Sequence, residues 1–456
     1  MTGLSRAARI LAGTFAISSV ICAPLSALAL GNDAPAADLA LEADQPDTLT
    51  YLYEVEGIQV IHRRMLTNDV VAVNLYLLGG ARQVTERTAG IEPVLLRASE
   101  RGTRNYPGTA TLEAQARTGS RMVVSAGLDW TIFGFRSLVE EFDSTWAVFA
   151  DRLMYPTLDS AAVEMTRERM VNSARSAPDD PEFVVWSLAE SVAYSGHPYA
   201  VPVSGTEQSL AVITIEDLRA YLNEQIVTSR MLLVVVGNVS RERVEAVMRG
   251  TIGQLPRGNY VWELPPTWKA DRPSVEVRQR DLPTNYIVGY FSGPDASSDD
   301  YPAFRIATAL LGGVTFSDLR NEGLSYSAGA RFIESGAAGG AVYVLTTEPT
   351  ESMEIVNEAI DWLNDPFIPW EVWTDYAEGW IISYYFENET NAEQADFLAR
   401  AYLYQGELRT PKECVDELRG VSPTEVGRAA RHYLKNIQYV YLGDITAAPR
   451  DLMTKH

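Results

Sequence analysis

The 456-residue sequence predicts an α+β protein made of two homologous domains, each a mostly antiparallel sheet with helices on one face. Three observations carry that expectation: strands alternate with amphipathic helices, two long stretches of chain resemble each other, and a proline-rich segment divides them. With 46% apolar and 21% charged residues the chain has the material for a large core, and a disordered, collagenous or disulfide-framework protein is excluded.

In chain order, Arg6 and Arg9, the apolar run Ile10–Leu25 and the triplet Ala27-Leu28-Ala29 match the charged, hydrophobic and small-residue parts of a secretory signal peptide. Residues 1–29 are therefore expected to be cleaved off after Ala29. Cys22 follows Ile21 rather than a small residue, which argues against a lipoprotein site. Residues 30–47 are small, acidic and proline-bearing and read as a flexible acidic leader. No later stretch approaches the roughly 18 uninterrupted apolar residues of a membrane span. The expected location is periplasmic, or extracellular.

An N-terminal domain is expected over 48–254, a proline-rich linker over 255–274 and a C-terminal domain over 275–450. The repeat is visible in matched strings. An apolar strand closing on glycine, Val71–Gly80, has its counterpart in Asn285–Gly293. Later in each half comes a capped helix and then a strand run into glycine: TIEDLRAYL and LLVVVG up to Gly237, then SPTEVGRAARHYL and YVYLG up to Gly443. The matched strings lie about 210 residues apart, the span of one domain. Between them, strands such as Met122–Ala126 and Trp130–Leu138 sit among helices such as Ser144–Leu153 and Ile355–Leu363.

The net charge is −22, and the leading 29 residues carry two arginines and no acid, so the remainder is more acidic still. Such a field disfavours nucleic acid and anionic membranes, and attracts at most cationic partners. Beyond the signal, Cys414 is the single cysteine; it is expected to be buried and can form no intramolecular disulfide. The four histidines, His62, His197, His432 and His456, include no two within five positions, so a local histidine metal pair is absent. His62 ends a strand run and His197 sits in a loop, where a backbone hydrogen bond is the expected role. Gly336, Gly339 and Gly340 lack the strand, helix and Lys/Ser context of a phosphate loop and read as a hairpin turn.

Four segments together carry a family resemblance: GIEPVLLRASERGT over Gly90–Thr103, GHPYAVPVSG over Gly196–Gly205, LLVVVGNV over Leu232–Val239 and LRNEGLSYS over Leu319–Ser327. In order and spacing they span nearly the whole chain, which resembles the insulinase/pitrilysin family of zinc metallopeptidases. The resemblance implies two halves enclosing a cleft. It also implies a zinc site of the form H-x-x-E-H on a helix, with the glutamate as general base and a third ligand farther along. At the matching positions stand Pro93, Leu96 and Arg97, while Ile91, Val94, Leu95 and Ala98 keep the helix's apolar stripe. Proline and leucine offer no lone pair to a cation, and arginine brings a permanent positive charge. The place of the third ligand, Arg169–Pro178, holds no acid. No metal is expected in this chain.

The family's second half supplies an arginine and a nearby tyrosine that donate hydrogen bonds to the substrate and the developing oxyanion. Arg320 and Tyr326 match, with an interval one residue shorter than is common; without the family they read as an exposed helix-end arginine and a packed tyrosine. Family members also add extended peptides to a sheet edge, and Ser120, Met122 and Val124 lie in the corresponding segment, which is equally readable as an ordinary strand. The resemblance thus implies a non-zinc-binding subunit of a heterodimeric peptidase. A homologous partner with H-x-x-E-H would hold the zinc, and an extended peptide would be the substrate. The alternative is a peptide-binding or scaffold protein of the cell envelope.

Overall fold

The computed structural model describes residues 50–365, 378–379 and 381–456. The segments read as signal peptide and acidic leader lie outside the described residues.

Six strands form the first sheet: β1 (Thr50–Val55), β2 (Ile58–Arg63), β3 (Val70–Leu78), β4 (Arg121–Ala126), β5 (Trp130–Leu138) and β6 (Met231–Val236), in the order β1-β2-β6-β3-β5-β4. The second contains β7 (Ser274–Gln279), β8 (Asn285–Ser292), β9 (Ser327–Ile333), β10 (Gly339–Thr346) and β11 (Gln438–Gly443), in the order β7-β11-β8-β10-β9. Each sheet joins its last strand in parallel to an early one, β6 to β2 and β11 to β7, and its other pairs are antiparallel. Omitting β1, the two orders superimpose strand for strand. The sequence repeat is therefore a repeat of topology, and β4 and β9 occupy equivalent edges.

The central strands are buried on both faces, and the period-2 geometry of a strand assigns each face to a different core. In β3, Val71, Val73, Leu75 and Leu77 pack with first-half helices, among them Ile91–Ala98 and Phe142–Met154. Tyr76 and Leu78 point the other way, into a core with Ala395, Phe397 and Leu398 of the second-half helix Asn391–Arg400. The second sheet mirrors this. Tyr439 and Tyr441 of β11 face second-half helices, while Val440 and Leu442 meet Val185 and Ala189 of the first-half helix Pro181–Ala193. The expected one-sided helix layer holds for each half's own core, and each half lends one helix to cover the other's second face. Cys414 lies buried in the core around Asn391–Arg400.

The proline-rich stretch is stitched to both halves. Trp262 Nε1 donates to the Leu403 carbonyl at 3.0 Å, and buried Trp268 joins the core beneath Pro181–Ala193. Contacts of this kind make it a packed strap rather than a free tether.

In the second half the helix Tyr301–Asn321 runs along β9 and touches it at Gly312, where a Cβ would stand 2.6 Å from the Ala330 carbonyl oxygen. Backbone cannot yield as a side-chain tip can. Gly312→Val is expected to destabilise by about 1–3 kcal/mol, the usual penalty of overpacking. Gly420→Ala, with nothing within 4 Å of the new methyl, should leave the urea midpoint almost unmoved; equal midpoints for the two variants would refute the close approach.

Candidate functional site

Gly90 starts the helix Ile91–Ala98 with φ +89°, a conformation that glycine accepts readily, and a Cβ there would meet Leu210 Cδ2 at 2.6 Å. Pro93 falls in the first turn, where no intrahelical N–H is lost. Glu92 is buried, accepting a hydrogen bond from Tyr221 Oη at 2.9 Å and pairing with Arg230 at 3.4 Å. Burial pushes its carboxyl above the ordinary glutamate range, against the pull of Arg230.

Of the three positions matched to zinc ligation, Pro93 and Leu96 are buried, Leu96 within the apolar core, and Arg97 is exposed. The donor set does not fit zinc: two side chains have no lone pair and the third is a cation. Among the described residues no three His, Cys, Asp or Glu side chains gather as a ligand cluster.

What these positions adjoin is a cavity of about 380 Å³. Arg97, Glu100 and Arg101 line it from the end of this helix, Met122 and Val124 from β4, and Arg152 from Phe142–Met154. Thr166, Arg169, Met170 and Ser173 complete it from the helix Ser160–Ser176. Three features read separately in the sequence thus converge: the altered zinc-type helix, the strand suspected of binding peptide, and the stretch that lacks a third ligand. β4 is an edge strand. Ser120 precedes it, does not line the cavity, and accepts a hydrogen bond from Thr118 Oγ1 at 2.8 Å.

Arg152 was not among the residues singled out by sequence. It is 2% exposed, its Nε donates to Ser99 Oγ at 3.1 Å and its Nη2 to the Leu96 carbonyl at 2.9 Å, and its Nη1 has no partner. Burial brings its pKa down to about 10, partly offset by the Glu100 charge, so it is still a cation at neutral pH. The available signal was an adjacent charged pair, Asp151-Arg152, inside the otherwise apolar helix stripe of Phe142, Trp146, Phe149 and Leu153.

Arg320 and Tyr326 are brought together by a helix stop. Gly323, at φ +73°, ends Tyr301–Asn321: its N–H bonds to the Arg320 carbonyl, and the Leu324 N–H reaches back to Leu319. The reversal puts the Arg320 Cζ 6.0 Å from the Tyr326 ring centroid and 5.6 Å from that of Phe316. Tyr326 is 84% exposed, so it is not a packed tyrosine. Among the described residues no hydrogen bond, ion pair or ring contact joins this pair to Pro93, Leu96 or Arg97. The pair flanks β9, the edge equivalent to β4.

The histidines at issue are structural. His197 Nδ1 accepts from the Tyr199 N–H, and its Nε2 bonds the Pro266 carbonyl at 2.7 Å. Buried His62 donates from Nε2 to the Val239 carbonyl at 3.0 Å, and burial pushes its pKa below the ordinary 6.5. Between the folded and unfolded pKa the unfolded chain binds more protons, so this group's contribution is present above pH 6.5 and lost as pH falls through the folded value. His62→Gln should flatten the pH dependence of unfolding free energy just below pH 6.5; an unchanged slope would exclude His62 as its source. Gly336 lies in the turn between β9 and β10, and Gly339 and Gly340 begin β10.

Residues 59–207 match the sequence profile of insulinase (peptidase family M16), and residues 213–366 match the peptidase M16 inactive domain. Curated relatives include cytochrome b-c1 complex subunit 1, mitochondrial, of Homo sapiens, 23% identical over 59% of this chain and 56% of that protein. Mitochondrial-processing peptidase subunit beta of Lentinula edodes is 20% identical over 83% of this chain and 86% of its own. The chain spans about half the length of several curated relatives it matches. A crystal structure of a peptidase M16 inactive domain from Pseudomonas fluorescens superposes with a TM-score of 0.78 at 18% identity, covering 86% of this chain and 98% of that one. A protease from Helicobacter pylori gives 0.78 at 16% identity, covering 86% and 99%. The two matched profiles, both of this family, follow each other along the chain from residue 59 to residue 366, and the chain belongs to the insulinase (M16) peptidase family.

Proposed function

We propose that the chain is the non-zinc-binding subunit of an exported heteromeric zinc endopeptidase, periplasmic or extracellular. The observation that carries this reading is the asymmetry between its two candidate sites. The helix face matched to zinc ligation presents apolar core residues and an arginine, while Arg320 and Tyr326 stand together and exposed on the second half. A homologous partner bearing H-x-x-E-H would contribute the metal and the general base. Arg320 and Tyr326 would donate hydrogen bonds to the substrate carbonyl and to the oxyanion that forms from it. An extended peptide would lie along a sheet edge, held through main-chain groups. Two similar proteins being named as subunits supports a heteromeric setting.

The test is reconstitution. Mixing the purified chain with an H-x-x-E-H homologue from the same organism is expected to generate chelator-sensitive peptidase activity absent from either alone. A stable complex without activity would favour the second reading, a scaffold or peptide-binding protein of the envelope, for which the likeness to a cytochrome b-c1 complex subunit speaks. No helix among the described residues is long and apolar enough to cross a membrane.

A further inference from the structure

We propose that the cavity beside β4 is an anion site that takes an aspartate or glutamate side chain of a peptide laid along that strand. The inference rests on the peptide-handling part of the reading above and is independent of any partner subunit.

Charge is the first argument. Arg97, Arg101, Arg152 and Arg169 line a space of about 380 Å³ with a single carboxylate, Glu100, in a chain whose net charge is −22. Among the described residues Arg97, Arg101 and Arg169 make no side-chain hydrogen bond or ion pair. Four cations gathered at one spot on an acidic protein, against one carboxylate, form a local field opposite to the global one.

Arg152 supplies the second, independent argument. A nearly fully buried guanidinium with an unpartnered Nη1 is unfavourable in isolation, because the lost water is not replaced. Two of its nitrogens are spent on Ser99 and Leu96, which fixes the group without neutralising it. A carboxylate in the cavity would supply the counter-charge, through charge-assisted hydrogen bonds that the planar fork is shaped to make.

Geometry then selects the source of that carboxylate. β4 pairs with β5 on one side and ends the sheet on the other. Met122 and Val124, two residues apart, share the face that lines the cavity. A strand added to this edge would lie about 4.8 Å away, with alternate side chains on that same face. An acidic residue there reaches the arginines; the next one points away. The region where a metallopeptidase relative would be cationic through its metal is here cationic through guanidinium groups.

The experiment is fluorescence anisotropy of the purified chain at low ionic strength with labelled nine-residue peptides of β-branched residues, carrying Glu or the isosteric Gln at the centre. The Glu peptide is expected to bind about tenfold more tightly, the scale of one hydrogen bond to a charged group. Arg97→Gln and Arg169→Gln, at exposed positions where folding tolerates change, should each erase most of that preference. Arg152→Gln should erase it too if circular dichroism shows it folded. Equal affinity for the two peptides overturns the anion site and leaves peptide handling standing; no binding of either overturns both. A preference that survives in Arg97→Gln and Arg169→Gln also overturns the assignment. Inorganic phosphate, titrated by calorimetry, separates the other source: phosphate that binds in an Arg169-dependent way with no Glu preference among peptides makes this a free-anion site and overturns the peptide assignment.

Discussion

Asp129→Ala is expected to destabilise the protein by about 3–5 kcal/mol, the range for breaking a buried charged group away from its partners. Asp129 is 3% exposed and follows β4 in the turn toward β5, yet its partners come from both halves. Its Oδ1 accepts from Tyr199 Oη at 2.6 Å, and its Oδ2 from Tyr404 Oη at 2.9 Å and from the Gly336 N–H at 2.8 Å. Arg82 stands 3.9 Å away. Burial first, and the Asp129 charge second, push both phenols far above the ordinary tyrosine pKa, so both remain donors. Removing the carboxylate strands three buried donors at once, each costing about 1–3 kcal/mol when unsatisfied. Tyr404→Phe, which removes one donor and leaves the carboxylate two, should lose roughly 1 kcal/mol. In a double-mutant cycle read by urea unfolding, Asp129→Ala and Tyr404→Phe should be non-additive, because the second change costs less once the acceptor is gone. Simple additivity would mean that the two side chains do not stabilise through each other.

That node explains why the division of the fold was legible while its closure was not. The matched strand ends were informative because the backbone there needs glycine: Gly237 and Gly443 sit at φ +148° and +155°, with a Cβ blocked by the Val70 carbonyl and by Asn285 Oδ1. Apolar runs such as VVAVNLYLL announce burial on both faces, but a string cannot say which element covers each face. Hence the exchange of Pro181–Ala193 and Asn391–Arg400 between halves is a property of the tertiary fold alone. The strap over 255–274 had its signal in Trp262 and Trp268, large apolar surfaces with no place in a solvated tether. At the candidate site, Arg97, Met122 and Val124 could be picked out by position along the chain. Arg152 joins them only because the helix Phe142–Met154 folds back against the end of Ile91–Ala98, a contact between residues more than 50 positions apart that no local pattern encodes.

In a reconstituted assembly, Arg320→Ala and Tyr326→Phe are each expected to lower kcat/KM by about 10- to 1000-fold, the range for removal of a transition-state hydrogen-bond donor. The structure makes the pair a clean target. Both side chains are exposed, so neither change should move the stability of the chain by more than about 0.5 kcal/mol. Tyr326→Phe keeps the ring against which the Arg320 guanidinium rests and removes the hydroxyl alone, which separates chemistry from stacking. Arg320→Ala removes both the donor and that support, so its effect should be the larger and the double variant less than the product of the singles. If the pair acts on the oxyanion, kcat falls while KM changes little; if it merely holds the peptide, KM rises and kcat stays. Association with the partner, followed by gel filtration, should persist in both variants. Full turnover in both would end the proposed role. Loss of the complex would instead make Tyr326, with its exposed ring, a contact residue between subunits.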